Sequence, residues 1–320
     1  MEARTASPGE GTAEVTVVIP VLGRYEQLAR LFDHLDRQTC GPDAFEVIVV
    51  CDAAEAEPER IDAAIGARAY ATERLVAPHR GAAWARQTGW RRASAPLVLF
   101  LDSDVLPDPA LVAEHLDWHR RHPEPEVAVL GRLRWARELR VSAFMRWIEH
   151  GIQFDFEAIE GDEAGWGRFY TANVSVKREL LERVGGFDAE RFPFHYEDLE
   201  LAYRMNEHGL RLLYNRDASA EHLHEVTLDS YKRRMAEVAP VERRFVRTHP
   251  DIAPYFHDLF TRAASRPPAR GRLAPLVRWV PKRMPVLGAR AWASADWYFE
   301  QQLAPGFLAA WDAAAEDQTT

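Results

Sequence analysis

Two aspartates stand one residue apart in LVLFLDSDVLPDP, where an apolar run from Leu97 to Leu101 breaks into Asp102 and Asp104 around a single serine. Carboxylates at i and i+2 are close enough to share one divalent cation, and oxygen donors suit Mg²⁺ or Mn²⁺ better than Zn²⁺. The same residues also suit a plain strand-to-helix turn, with Asp108 capping LVAEHLDWHRR. Asp198 lies in YEDLELAYR beside Glu197, in the first turn of a helix with a buried stripe of Leu199, Ala202 and Met205. A carboxylate placed there can take the proton of a substrate hydroxyl as its oxygen attacks an electrophile, although acids in a first turn also answer the helix dipole. His222 and His224 are two apart in AEHLHE, so on a strand they share a face, and one of them can complete a metal site begun by the aspartates. Arg80, Gly81 and Arg86 in HRGAAWARQTGW open a helix, a placement that suits phosphate, because helix N-termini bind anions and arginine grips phosphate through two hydrogen bonds. Neither GxxxxGK nor a GxGxxG after the first strand is present, which removes support for a P-loop nucleotidase or a dinucleotide dehydrogenase.

These residues need elements to position them. VTVVIP at Val15 reads as a buried strand, GRYEQLARLFDHLDRQT as an amphipathic helix and FEVIVVCD as a second buried strand ending in Asp52. A short ERLVA, the helical AAWARQTGWRRAS and the strand LVLFLDSD continue the alternation, so the expected class is α/β with a mostly parallel sheet. Carboxyl ends of parallel strands lie along one edge, which puts Pro20, Asp52, Asp102 and Asp104 at a common crevice. Further on, the pattern predicts a helix from Pro109 to His122 and a strand EVAVLG. ELRVSAFMRWIEHGIQFDF follows with helical spacing, and then a glycine-rich loop GDEAGWGR. FYTANVSVKRELLERVGGFD reads as a strand leading into a helix closed by Gly185 and Gly186, and the helix beginning near Glu197 stops at Gly209. LRLLYNRDASAEHLHE gives two short strands, and from Thr227 the chain is mainly helical, with a break at SRPPARGR.

At 320 residues and 47% hydrophobic the chain can bury a large core. A net charge of −9 argues against general binding to nucleic acid. Cys40 and Cys51 are in no metal-ligand spacing and fit a reducing compartment. The first dozen residues lack the apolar core of a signal peptide, and no stretch reaches the length of a membrane span, so the expected location is the cytoplasm. RLAPLVRWVPKRMPVLG from Arg272 reads either as a basic amphipathic surface for an anionic membrane at its inner face, or as a loop packing its apolar side on the domain. Its three prolines favour the loop.

In order along the chain, VVIPVLGRYEQLARLFDHLDRQT, FEVIVVCDAA, RGAAWARQTGW, VLFLDSDVLPDP, TANVSVKRELLERVGGFD and HYEDLELAYRM resemble the family 2 glycosyltransferases with a GT-A fold. The resemblance covers roughly Val15 to Thr227. It implies a Rossmann-like, mostly parallel sheet flanked by helices. It also implies a metal-assisted, inverting transfer of sugar from a nucleoside-diphosphate sugar, UDP-sugar first, to an acceptor hydroxyl. By this likeness Pro20, Arg24 and Asp52 hold base and ribose, and Asp102 and Asp104 match the DxD motif that binds Mn²⁺ or Mg²⁺ and the diphosphate. Arg80, Gly81, Arg86 and Ser103 join the donor site. Asp198 matches the acidic base, His222 or His224 a further metal ligand, and Asn173, with Trp166 and Glu197, the sugar and acceptor pocket. PVLGR departs from the family's usual first loop, which has a serine, threonine or tyrosine next to asparagine. The domain reading is a flexible N-terminus at 1–13, a glycosyltransferase domain at 14–226 with its nucleotide half at 14–106 and its acceptor half at 107–226, and a helical extension at 227–320. Two other readings compete: a HAD-like phosphatase with FLDSDV at its strand end, whose second acidic motif has only GDEAGW as a candidate, and a GT-A-like binding protein without turnover.

Overall fold

Runs of valine, isoleucine and leucine unbroken by charge build the centre of the sheet, because strands covered on both faces must be apolar on both. A computed structural model describes residues 13–152 and 154–316, with the backbone of a two-residue strand, β1 (Arg4–Thr5). The other residues of the N-terminus expected to be flexible, 1–3 and 6–12, lie outside the described residues. The chain divides into two units, Met1–Glu138 with Phe156–His224, and Leu139–Asp155 with Glu225–Thr320. The second unit thus includes 139–155, a stretch inside the 14–226 range read as one domain from the sequence.

The first unit begins with β2 (Val15–Val21), α1 (Tyr25–Leu35), β3 (Phe45–Cys51), α2 (Pro58–Ile65), β4 (Thr72–Val76), α3 (Ala82–Arg92) and β5 (Leu97–Leu101). Here β4, β3, β2 and β5 pair in parallel, so their carboxyl ends share one edge. Gly89 lets α3 lie directly on β2 and β3, since a Cβ there would run into Val18 and Val50. The unit continues with β6 (Val105–Pro107), α4 (Leu111–Arg121), β7 (Val127–Trp135), β8 (Asn173–Lys177), α6 (Arg178–Val184), α7 (Glu197–Glu207) and β9 (Arg211–His222). The sheet order is β1-β4-β3-β2-β5-β8-β7-β9-β6. Antiparallel β8 joins the parallel half to β7 and β9, so this side of the sheet is mixed.

In this unit, sequence and structure differ at β9, β6, α4 and α7. RLLYNRDASAEH forms one strand, β9, whose pairing with β7 shifts register after Gly131, instead of two strands. Val105–Pro107, read as part of a turn, is a strand because it pairs with β9. Asp108 does not cap α4; its carboxylate accepts from Arg134 Nη2 at 2.7 Å, and Ala110 holds the cap position. On α7, Leu201 takes the buried place assigned to Leu199.

The second unit contains α5 (Ala143–Ile148), α8 (Leu228–Thr248), α9 (Tyr255–Ala264) and α10 (Leu287–Glu316). Among the described residues of the apolar stretch at 139–155, only Ala143–Ile148 is α-helical. Its Phe144 and Trp147 pack against Phe299 of α10, with ring centroids 5.3 and 5.0 Å apart, and Trp147 Nε1 donates to Asp296 at 2.8 Å. Thr227 and Ser230 cap α8 reciprocally. The buried Glu242 accepts from the backbone N–H groups of Phe256 and His257 at 2.7 and 2.9 Å, joining α8 to the first turn of α9. No helix among the described residues is long and apolar enough to cross a membrane.

Candidate functional site

The parallel strand ends converge as their register requires. Near the end of β2, Pro20 is half-buried, and after the strand Arg24 adopts a left-handed conformation, φ 56°. Glu55 shapes this loop by accepting from Gly23 N at 2.7 Å and Tyr25 Oη at 2.6 Å. Burial alone would raise the Glu55 pKa, and these hydrogen bonds hold it below the usual carboxylate range. Sequence reasoning missed Glu55, because nothing local marks a clamp that closes over thirty residues away. After β3, Asp52 is buried and accepts from Ala54 N and Gly81 N, both at 2.7 Å. Gly81 has φ +130°, and a Cβ there would lie 2.5 Å from the Pro193 carbonyl oxygen, so only glycine fits beside this carboxylate. Arg80 is exposed, and Ser103 is buried between the two aspartates.

After β5 the two aspartates meet different partners. Asp102 accepts from Arg86 Nη2 at 2.8 Å, while Arg86 Nη1 donates to Glu197 at 2.9 Å. Burial disfavours charge on Arg86, but the Asp102, Glu197 and Asp198 carboxylates outweigh it and hold its pKa above the ordinary guanidinium value. Asp104 is almost wholly buried, is paired with Arg24, and has His224 Nδ1 at 3.3 Å and His222 Nε2 at 3.5 Å. Register puts the histidines there, since β6 pairs antiparallel with β9 so that Val105 faces His222. Trp135 stacks on the His222 ring at 5.7 Å, with 11° between the planes, which fixes the ring's plane beside Asp104. The sequence motif thus becomes two linked clusters, Asp102–Arg86–Glu197 and Asp104–Arg24–His222–His224. Among the described residues no three His, Cys, Asp or Glu side chains close tightly enough to hold a metal as they stand. Each aspartate meets a guanidinium instead.

Asp198 is half-buried at the start of α7 and accepts from Leu199 N at 2.8 Å. The helix is entered through His195 and Tyr196, both left-handed at φ 57° and 51°. Such backbone is costly for residues with a Cβ, and strain of this kind concentrates where a helix start must be aimed. Trp166 lies on a 3₁₀ turn, with its ring 5.7 Å from Tyr203 on the same helix as Asp198. Asn173 requires a correction. It is fully buried, its amide donates to Ala218 O at 2.9 Å, and its Oδ1 meets His115 Nε2 at 3.0 Å, so it braces β8 against β9 and α4 instead of lining a pocket. The reason is Gly131, whose missing side chain leaves the space the amide fills. His115 Nδ1 and His119 Nε2 both meet Ser175 Oγ, at 2.8 and 2.9 Å, extending a buried polar row that sequence reasoning also missed.

Comparison with known proteins gives concordant matches. The family model described as "Glycosyltransferase like family 2" matches residues 12–237. Validoxylamine A glucosyltransferase of Streptomyces hygroscopicus subsp. limoneus is 30% identical over 282 residues, covering 75% of this chain and 58% of that protein. Pre-mycofactocin glycosyltransferase of Mycobacterium tuberculosis is 31% identical over 266 residues, covering 78% of this chain and 52% of that one. The chain therefore spans little more than half the length of these relatives. Among solved structures, the Pyrobaculum calidifontis mannosyltransferase PcManGT in complex with GDP-Man and Mn²⁺ superposes with a TM-score of 0.54 at 22% identity, covering 95% of this chain and 75% of that one. Staphylococcus aureus TarS 1–349 in complex with UDP-GlcNAc gives 0.51 at 14% identity, covering 95% and 92%.

Proposed function

This chain belongs to the glycosyltransferase-like family 2 with a GT-A fold, and on that premise we propose that it transfers a sugar from a nucleoside-diphosphate sugar to an acceptor hydroxyl with inversion. The observation that carries the reading is the gathering of Asp52, Asp102, Asp104, Arg86 and Glu197 at the carboxyl edge of parallel strands, with Asp198 acting on the same Arg86. Asp52, held by the backbone at Ala54 and Gly81, presents a fixed wall for base and ribose. Arg24 and Arg80 supply exposed cations for the diphosphate.

A divalent cation fits the donor set, because the Asp104 carboxylate already has two imidazoles within 3.5 Å and Asp102 lies two residues before it at the same end of the sheet. Asp102, Asp104 and His222 or His224 are the residues that would hold Mn²⁺ or Mg²⁺. When bound, the ion supplies positive charge to a departing nucleoside diphosphate. Arg24 would compete with an ion for the Asp104 carboxylate, and its half-exposed side chain could then turn to a phosphate. In the transfer, Asp198 accepts the acceptor's hydroxyl proton and the acceptor oxygen bonds to the anomeric carbon. The carbon–oxygen bond to the diphosphate breaks on the opposite face, leaving its electron pair on the phosphate oxygen. UDP-sugars are the first donors to try, since TarS is solved with UDP-GlcNAc.

Asp198→Asn separates catalysis from binding. Transfer from a UDP-sugar should fall about 10²–10⁴-fold while donor affinity is kept. Undiminished transfer would remove Asp198 as the base, and donor binding without transfer in the unaltered protein would favour a binding protein of the same fold.

A further inference from the structure

From Leu259 to Ala295 the sequence carries eight arginines or lysines and no aspartate or glutamate, within a chain of net charge −9. The middle of that stretch is also the most apolar exposed surface of the second unit. Trp279 is 75% exposed, Val286 66%, and Met284 and Leu287 43% and 45%, with every residue from Pro281 to Leu287 exposed. This is not a loose loop. Met284 N bonds to Pro281 O at 3.0 Å, Gly288 N to Met284 O at 3.0 Å, and Trp292 Nε1 to Val280 O at 2.9 Å, which ties the turn to the first turns of α10. The packed loop favoured by the prolines holds in part: Ala274 and Val277 are buried, while the apolar side chains at Trp279, Met284, Val286 and Leu287 are exposed.

We propose that this turn docks the protein on the surface of a bilayer containing anionic phospholipid, with Trp279, Met284, Val286 and Leu287 inserted among the headgroups and Arg278, Lys282 and Arg283 on phosphates. Three features select this partner. Tryptophan and aliphatic side chains ringed by lysine and arginine match the apolar and anionic layers of such an interface. The cations are not used internally: among the described residues Arg266 pairs with Glu300, but Arg278, Lys282 and Arg283 make no ion pair. Arg278 instead lies over the exposed Trp279 ring at 4.8 Å, so this cation and ring reach the surface together, while Lys282 lies 5.6 Å from the ring of the buried Trp292. Nucleic acid would use stacking rings in place of Met284, Val286 and Leu287, and the centres of protein interfaces are depleted in lysine. The inference is independent of glycosyl transfer.

Sedimentation of the full chain with vesicles tests it. The protein should pellet with vesicles of equal parts phosphatidylcholine and phosphatidylglycerol, less so as salt rises, and stay in solution with phosphatidylcholine alone. Replacing Arg278, Lys282 and Arg283 by glutamine should weaken binding about a hundredfold, near fivefold per cation. Trp279→Ser with Val286→Asn should weaken it about tenfold, asparagine being chosen because Val286 has φ 60°. Both variants should melt with the unaltered protein. No pelleting with the anionic vesicles, equal pelleting with both vesicle types, or binding indifferent to both sets of changes would overturn the proposal. So would a dimer in solution that the Trp279→Ser/Val286→Asn pair dissolves, since the surface would then join two copies.

Discussion

Arg86 shows how one side chain converts a local motif into a site. Its guanidinium is 5% exposed and bridges Asp102 of the β5 end to Glu197 of α7, residues far apart in sequence. Arg86→Met should destabilise the fold by about 3–5 kcal/mol, read as a lower denaturant midpoint, because it leaves carboxylates desolvated without their cation. A loss below 1 kcal/mol would mean that the acids are hydrated. His115 and His119 give a pH signature. Burial pushes His115 down to about 4, and burial together with the Lys177 ammonium pushes His119 down to about 2. Folded, both stay neutral; unfolded, both protonate below about 6.5. The unfolded chain therefore binds more protons as acid is added. Stability should be full above pH 6.5 and fall toward pH 4, with His115 contributing on the order of 3 kcal/mol to the loss. Urea midpoints across that range measure it, and a His115→Asn variant with the same acid slope would refute the assignment. The acids at strand ends were legible because charge interrupts an apolar run. Arg24 and Arg86 were named for the donor site, but their pairing with these acids was not, since a contact such as Arg86 with Glu197 leaves no trace in spacing.

At the scale of elements, the alternation of apolar runs and amphipathic segments located β2, β3, β4 and β5 with α1 and α3, because parallel strands covered on both faces have a plain signature, and it passed over the short α2. The mixed half was harder. β6 is a strand only through its pairing with His222, Glu221 and Ala220, and β9 stays continuous through a register shift that looks like two strands in sequence. Asn173 sits in a sequence that suggests a pocket and is claimed by the sheet, because Gly131 opposite leaves room for its amide. The seat of α3 gives a prediction. Gly89→Ala puts a methyl group into Val18 and Val50 and should cost about 1–3 kcal/mol, while moving the helix that holds Arg86. Thermal midpoint and nucleotide affinity should fall together; an unchanged midpoint would show that α3 can shift without loss.

For the whole molecule, the division into two units matters more than a cut at 226 suggests. Phe144 and Trp147 belong with Tyr231 and Phe299, so a chain ending at 226 would keep 139–155 and lose the rings that cover it. Such a truncation should aggregate, whereas one that also replaces 139–155 by a polar linker should stay monodisperse in size-exclusion chromatography. Equal behaviour of the two would show that the segment needs no helical partner. The central claim is a nucleotide-sugar site at the carboxyl edge of the sheet. Its most direct test is the thermal unfolding midpoint with UDP, GDP or dTDP, each with and without Mn²⁺, in the unaltered protein and in Asp102→Asn/Asp104→Asn. One nucleotide should stabilise the fold only with the metal present, by about 2.7 kcal/mol at a hundredfold excess over its dissociation constant, and the double variant should lose the effect. A midpoint that no nucleotide moves, with or without Mn²⁺, would contradict the account.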